Sequence, residues 1–253
     1  MSALATTVDV FMGGKLTIEQ PKSGYRAGID AVFLAATVPM GDHAVRLLDV
    51  GAGVGTVGLC AARRCLDAHV TLLEREPQLA ALARANIARN SLGQRVQVVE
   101  AAIECPAGVF AQAGLAAESY DCVLANPPYH ETDRGTPAPD TLKASSHAMD
   151  GAGLDTWVRF MARMAKPGGT ATMVHKAGAL PAVLAAFAGR FGELRVLPLH
   201  PRWGEPASRI LVRGTKGSRA PLVLLPGWTL HDEGNAFTGP SQAVLRGGAG
   251  LSS

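Results

Sequence analysis

Aromatic residues are scarce in this chain of 253 residues, at 5%, so aliphatic side chains and alanine must fill its core. Charged residues are also few, at 18% against 47% hydrophobic, which excludes a disordered polyelectrolyte and reads as soluble and globular. The length allows one large domain or two small ones. Cysteine is limited to Cys60, Cys65, Cys105 and Cys122, with no CxxC pair. That excludes a disulfide scaffold and leaves no metal or redox motif; small buried thiols in a reducing compartment are expected. No apolar run is long enough to cross a bilayer. The opening "MSALATTVDVFMGG" has neither a basic start nor an apolar h-region, so a cytoplasmic protein without a membrane partner is expected. Repeats and low-complexity tracts are absent. Net charge is only +3, yet six basic residues face one acid between Arg195 and Arg219. A basic segment on a near-neutral body suits a polyanion, and equally suits a solvated face.

What is present is an alternation of strand-like and helix-like stretches from about residue 45. "VRLLDV" (45–50), "HVTLLE" (69–74), "RVQVVE" (95–100), "YDCVLA" (120–125) and "TATMVH" (170–175) read as buried strands. Helices are expected at "VGTVGLCAARR", at "PQLAALARANIARN" with proline in its first position, at "LDTWVRFMARMA" and at "LPAVLAAFAGRFG". Residues 101–118 suggest only a weak helix. "LRVLPL" and "SRILVRG" have no helix between them and should pair as an antiparallel hairpin at the sheet edge. The order predicts an α/β fold, a doubly wound, mostly parallel sheet with helices on both faces.

"LLDVGAGVGTVG" follows the first of these strands and opens a helix. Gly51, Gly53 and Gly55 form GxGxG, which lets the chain turn tightly and offers bare backbone to a ligand at the carboxyl end of the sheet. Glu74 ends the next strand, where an acid can accept hydrogen bonds from both hydroxyls of a ribose. The missing GxxG step disfavours a pyrophosphate, and so a dinucleotide. S-adenosylmethionine, which carries adenosine and a methionine zwitterion without phosphate, fits better. Asp49 would face its positive end.

"YDCVLANPPYHETDRG" then halts a buried strand at a stiff, polar-tipped corner. Two prolines have no N–H to give a sheet ladder. In the doubly wound order this corner lies beside the glycine loop. Asn126 offers a side-chain carbonyl, Pro127 a backbone carbonyl held extended by Pro128, and Tyr129 a flat face. Two acceptors aimed at the N–H bonds of a conjugated amino group draw its nitrogen toward a pyramidal, nucleophilic form. Asn126 also borders the donor. Stacking on Tyr129 is worth roughly 1–3 kcal/mol for a base.

"LLDVGAGVG" trailed by "NPPY" resembles the class I S-adenosylmethionine-dependent methyltransferases that act on exocyclic or amide nitrogens. "GGKLTIEQPKSGYRAGIDAVFLAA", "MAKPGGTATMVHKAGALP" and "ILVRGTKGSRAPLVLLPG" resemble the bacterial tRNA1(Val) adenine-N6-methyltransferase family. The likeness runs from Asp9 to about Arg246. It implies a Rossmann-like, seven-stranded sheet with an antiparallel edge hairpin. Residues 1–40 become an N-terminal extension over the cofactor and 41–246 the methyltransferase domain, while the end "GGAGLSS" (247–253) reads by itself as a flexible, frayed tail. It also implies Tyr25, Arg26 and Asp30 as cofactor-pocket residues, and Asn126, Pro127, Pro128 and Tyr129 as the target-amino motif. Similar enzymes carry an acid after the third strand for the cofactor's adenine; here Ala101 and Ala102 stand there, with Glu100 or Glu104 as substitutes.

The implied substrate is RNA, most simply an anticodon-loop adenosine of a tRNA, because such bases are single-stranded and cheap to expose. The loop from His130 to about Gly153, with Arg134, Lys143 and His147, either closes over the base or is a solvated connection. His130 and His147 lack metal-ligand spacing, so no metal is expected. Trp203, in the basic hairpin, either stacks on a nucleotide or packs on the sheet. A glutamine-N5 methyltransferase acting on peptide release factors also uses NPPY, but usually carries a longer helical N-terminal domain. A non-catalytic RNA-binding relative is the third reading. A monomer is the default.

Overall fold

The computed structural model describes residues 4–24, 26–41, 44–128 and 151–251. Its centre is a sheet in which β3 (Arg46–Val50) pairs in parallel with β4 (His69–Glu74) on one side and β6 (Tyr120–Ala125) on the other. β5 (Val96–Glu100) extends the sheet beyond β4, and β7 (Ala165–Lys176) extends it beyond β6, both in parallel. These strands are the near-continuous apolar runs that burial on two faces demands. β8 (Phe191–Arg202) and β9 (Arg209–Lys216) form the expected antiparallel hairpin, with β9 inserted between β7 and β8. Two short strands continue the sheet past the hairpin: β10 (Val223–Leu224) and β11 (Trp228–His231) both run parallel along β8. Among the described residues the sheet therefore has nine strands rather than seven, and the hairpin is not its outer edge.

Helices cover both faces. α1 (Ile29–Ala35), α2 (Thr56–Arg64) and α3 (Pro77–Arg89) share one core with the inward side chains Leu47, Leu72, Leu124 and Leu211. α4 (Ala107–Gln112), α5 (Gly151–Met164) and α6 (Leu180–Phe187) share the other with Leu48, Val123, Met173 and Val212. The weak helix is thus only the short α4. α6 stops at Phe187, before Gly189, whose φ is +75°.

Arginines finish two helices from inside. Arg95 donates to the carbonyls of Ala62, Cys65 and Ala68 at the end of α2. Arg64, itself buried, donates to Ala35 and Val38 at the end of α1 and to Gly248. Terminal carbonyls have no partner within their own helix, so these guanidiniums supply one.

The first residues form a hairpin of β1 (Thr6–Phe11) and β2 (Leu16–Pro21). Two asparagines one helical turn apart on α3 satisfy the outer edge of β2. Asn90 accepts from the Thr17 N–H at 2.9 Å and donates to its carbonyl at 2.8 Å. Asn86 does the same for Glu19, at 2.7 and 2.9 Å. Met12, Leu16 and Ile18 belong to the α1–α3 core, so the extension is a built-in part of that core and not a separate lobe. The C-terminal stretch is likewise docked, against the expectation of fraying: Leu251 is buried and its N–H bonds the Ala36 carbonyl at 2.9 Å. Among the described residues no helix is long and apolar enough to cross a membrane.

Candidate functional site

Strand order reverses between β3 and β6, and α/β sheets open a crevice at the carboxyl ends of strands at such a point. A cavity of about 450 Å³ lies there. Its walls come from the glycine loop after β3, Glu74 to Glu76 after β4, Ala101 to Glu104 after β5, and Asn126 and Pro128 after β6. The start of α5 and the segment following β2 close it.

The loop after β3 needs glycine at two of its turns. Gly51 has φ +65°, and a Cβ there would lie 2.3 Å from Cη2 of Trp157. Gly53 has φ +56° and lines the cavity, and a Cβ there would meet no atom within 4 Å, so bare backbone faces the ligand space. Gly55 shapes the helix start against Leu72 and does not line the cavity.

Glu74 is buried and organises this loop. Its Oε2 accepts from the Gly53 N–H at 2.7 Å, and its Oε1 accepts from the N–H groups of Arg75 and Glu76, both at 2.8 Å. Asp49 is 1% exposed and lines the same cavity. Burial pushes its carboxyl up to about 7, helped by the nearby charge of Glu74 and opposed by the Gly58 N–H that bonds its Oδ2 at 2.9 Å. Four acids (Asp49, Glu74, Glu76, Glu104) line the cavity among the described residues, against one base, Arg75, which itself pairs with Glu76 at 3.3 Å. Such a wall favours a cationic ligand and repels a pyrophosphate.

Ala101 and Ala102 line the wall where an acid was missing. Of the two proposed substitutes, Glu104 lines the cavity, whereas Glu100 pairs with Arg84 at 3.4 Å and does not. Pro127 is buried beside Asn126 and Pro128. Tyr129, Tyr25 and the loop residues His130, Arg134, Lys143 and His147 lie outside the described residues.

Arg26 and Asp30 are placed elsewhere than expected. Arg26 pairs with Asp9 at 2.6 Å and donates to the Thr7 hydroxyl and the Pro21 carbonyl, at 2.7 and 3.1 Å. Asp30 pairs with Arg209 at the start of β9, at 3.0 Å. Neither lines the cavity. Buried Gln20 takes the role of wall-builder: its amide donates to Asp9 at 2.8 Å and its carbonyl accepts from the Ala27 N–H at 2.9 Å. Asp9, Gln20 and Arg26 thereby fold the segment after β2 back along the cavity. Trp157 also went unnoticed as a site residue. Its signal was its place one turn ahead of Met161 on the buried face of α5, at the end nearest the sheet's carboxyl edge.

A doubly wound sheet with this glycine loop, ribose-type acid and acidic, phosphate-averse cavity defines the class I fold that binds S-adenosylmethionine. The methyltransferase small domain profile matches residues 26–153, and the chain belongs to that family. A crystal structure described as a predicted O-methyltransferase, protein Atu636 from Agrobacterium tumefaciens, is 32% identical with a TM-score of 0.74, covering 88% of this chain and 98% of that one. The tRNA1(Val) (adenine(37)-N6)-methyltransferase of Bacteroides fragilis (strain YCH46) is 30% identical over 164 residues, and the match spans 65% of this chain and 65% of that protein. The protein of the same name from Flavobacteriaceae bacterium (strain 3519-10) is 33% identical over 119 residues, 47% of this chain and 48% of that protein. A further neighbour, M. jannaschii TYW2 in complex with AdoMet, shares the fold alone, at 13% identity and a TM-score of 0.55.

Proposed function

We propose that this protein transfers a methyl group from S-adenosylmethionine to the N6 amino group of an adenine in RNA, an anticodon-loop adenosine of a tRNA. The observation carrying the reading is that Asn126 and Pro128 line the same cavity as Gly51, Gly53 and Glu74. The acceptor corner and the cofactor cradle are one space. When bound, the cofactor would supply a methyl group on a positively charged sulfur, the S–CH3 bond breaking to leave a neutral thioether. Glu74 would hold the ribose, Gly53 would lie under the ligand, and Asp49 would face its positive end.

The chain's own contribution is positional. The residue before a proline is pushed toward extended backbone, so Pro128 stiffens Pro127 and its carbonyl. Asn126 Oδ1 and the Pro127 carbonyl accept the two N–H bonds of the amino group. Its lone pair is then localised toward the methyl carbon. Asparagine has no group that ionises near neutral pH, so the corner works without titrating; the surplus proton leaves the methylated nitrogen for water. Tyr129 stacks on the base once it has left its own stack. Incubating the protein with labelled S-adenosylmethionine and total tRNA, then digesting to nucleosides, should yield N6-methyladenosine. Label in N5-methylglutamine of a release factor, or in an O-methyl product, would overturn the reading.

Asp49 gives the reading a pH signature. Its ordinary value is 3.8 and its folded value about 7, so between the two the folded protein holds a proton that the unfolded chain has released. Stability of the ligand-free protein therefore falls as pH rises from about 4 to about 7, and this group changes it no further above that. A cation beside Asp49 favours the carboxylate, so S-adenosylmethionine should bind more tightly as pH rises toward about 7, releasing a proton. Calorimetry at pH 6 in two buffers of different ionisation enthalpy reads that proton. Asp49→Asn should abolish its release; equal release in the variant would mean another group is responsible.

A further inference from the structure

Two of the three tryptophans are packed: Trp157 walls the cavity, and Trp228 meets the edge of Phe33 while donating to Ser241 at 3.0 Å. The third, Trp203, is 91% exposed at the tip of the β8–β9 hairpin. Tryptophan is highly buried on average, so a ring this large in water is unusual, and the turn beneath it is held by several hydrogen bonds. The Glu205 N–H bonds the Arg202 carbonyl at 3.2 Å, and the Glu205 carbonyl bonds His200 Nδ1 at 2.7 Å. Arg202 reaches across to the Gly234 carbonyl, at 3.0 and 3.1 Å, and to Asn235. Ser208 pairs with Leu199 below and with Ala177 at the end of β7. The ring is presented on a rigid mount.

The mount stands on the same rim as the acceptor corner. Ala125 lies opposite Met173, the next β7 residue Val174 opposite Leu211, and Leu211 opposite Leu197. Asn126 is thus level with Leu197, and Trp203 lies six residues farther along the chain. At about 3.3 Å per residue and about 4.8 Å per strand, Trp203 lies roughly 20 Å farther along β8 than that level and three strands to the side of the corner. That is too far to touch the reacting base and well placed to meet another part of a large substrate seated over the cavity.

We infer that Trp203 is a stacking platform for an unpaired nucleobase of the RNA substrate, away from the methylated adenine; the inference rests on the RNA reading above. Every base has a π-face, so an exposed indole on a rigid turn suits a single-stranded segment without demanding a sequence. The adjacent charges of Arg202 and Glu205 face each other at 3.6 Å, which leaves the tip neutral and assigns it stacking rather than phosphate contact.

The test compares the full-length protein with Trp203→Ala and Trp203→Phe, using an unmodified tRNA transcript. Trp203→Ala should weaken tRNA binding about ten- to hundredfold and raise KM for tRNA alike. The constant for S-adenosylmethionine and kcat at saturating tRNA should not move. Trp203→Phe should recover most of the affinity. The slope of log affinity against log salt should stay that of the wild type, since no phosphate contact is lost. Wild-type tRNA affinity in Trp203→Ala, with tRNA still methylated, would overturn the platform and leave the RNA reading standing. A change in oligomeric mass without a change in tRNA affinity would overturn it in favour of a surface for a second copy. A wild-type protein that neither binds nor methylates tRNA would overturn the RNA reading, and the platform with it.

Discussion

Replacing Asn126 by alanine should lower kcat by on the order of 10²–10³ or more while the dissociation constant for S-adenosylmethionine stays within about twofold. The expectation follows from what the side chain offers. In the proposed mechanism its carbonyl is one of two acceptors that hold the amino group in the reactive shape, and an acceptor needed chiefly as charge develops on nitrogen shows its loss in kcat. Asn126 borders the cavity, yet the glycine-rich wall and three of the four lining acids come from β3, β4 and the segments after them. Single-turnover rates with saturating cofactor, set beside equilibrium binding, separate the two effects. A large loss of cofactor affinity in Asn126→Ala would mean that its main partner is the cofactor.

Glu74→Ala should produce the opposite pattern. Three backbone N–H groups, from Gly53, Arg75 and Glu76, would lose their acceptor together. An unsatisfied donor costs about 1–3 kcal/mol when fully buried, and less where cavity water reaches it, so a stability loss on the order of 1–3 kcal/mol is expected. Cofactor affinity should fall further. A carboxylate bonded to two ribose hydroxyls contributes about 1.5–3 kcal/mol per bond, hence at least about a hundredfold in Kd. Glu74→Gln keeps one acceptor oxygen but turns an NH2 group against a backbone N–H, so it should fall between wild type and alanine. Thermal unfolding with and without S-adenosylmethionine measures both terms. A full ligand-induced rise in Tm in Glu74→Ala would show that the ribose is held elsewhere.

The parallel core was legible because strands buried on both faces leave an unbroken apolar run, and Gly51, Gly53, Glu74 and Asn126 all sit at the ends of such runs. Contacts between distant segments were not legible. Arg26 and Asp30 read as ligand residues because the resemblance of "GYRAGID" to the family implies it, but their partners, Asp9 and Arg209, are set by tertiary packing. Nothing in the sequence marks Asn86 on α3 or Asn90 at its end; only the position of β2 gives them a backbone edge to satisfy. The last residues, rich in glycine, suggested fraying, and the buried guanidinium of Arg64 that donates to the Gly248 carbonyl comes from a helix more than 180 positions earlier. β10 and β11 are too short to announce themselves by period.

The account stands on the claim that Asn126 and the Pro127 carbonyl hold an amino nitrogen against the cofactor's methyl group. A crystal structure with an unreactive S-adenosylmethionine analogue and an anticodon-loop oligonucleotide tests it most directly. The account predicts an adenine N6 bonded to both carbonyl oxygens and about 3–3.5 Å from where the methyl carbon would stand. An adenine held by other groups, or a cofactor whose sulfur points away from that corner, would contradict it.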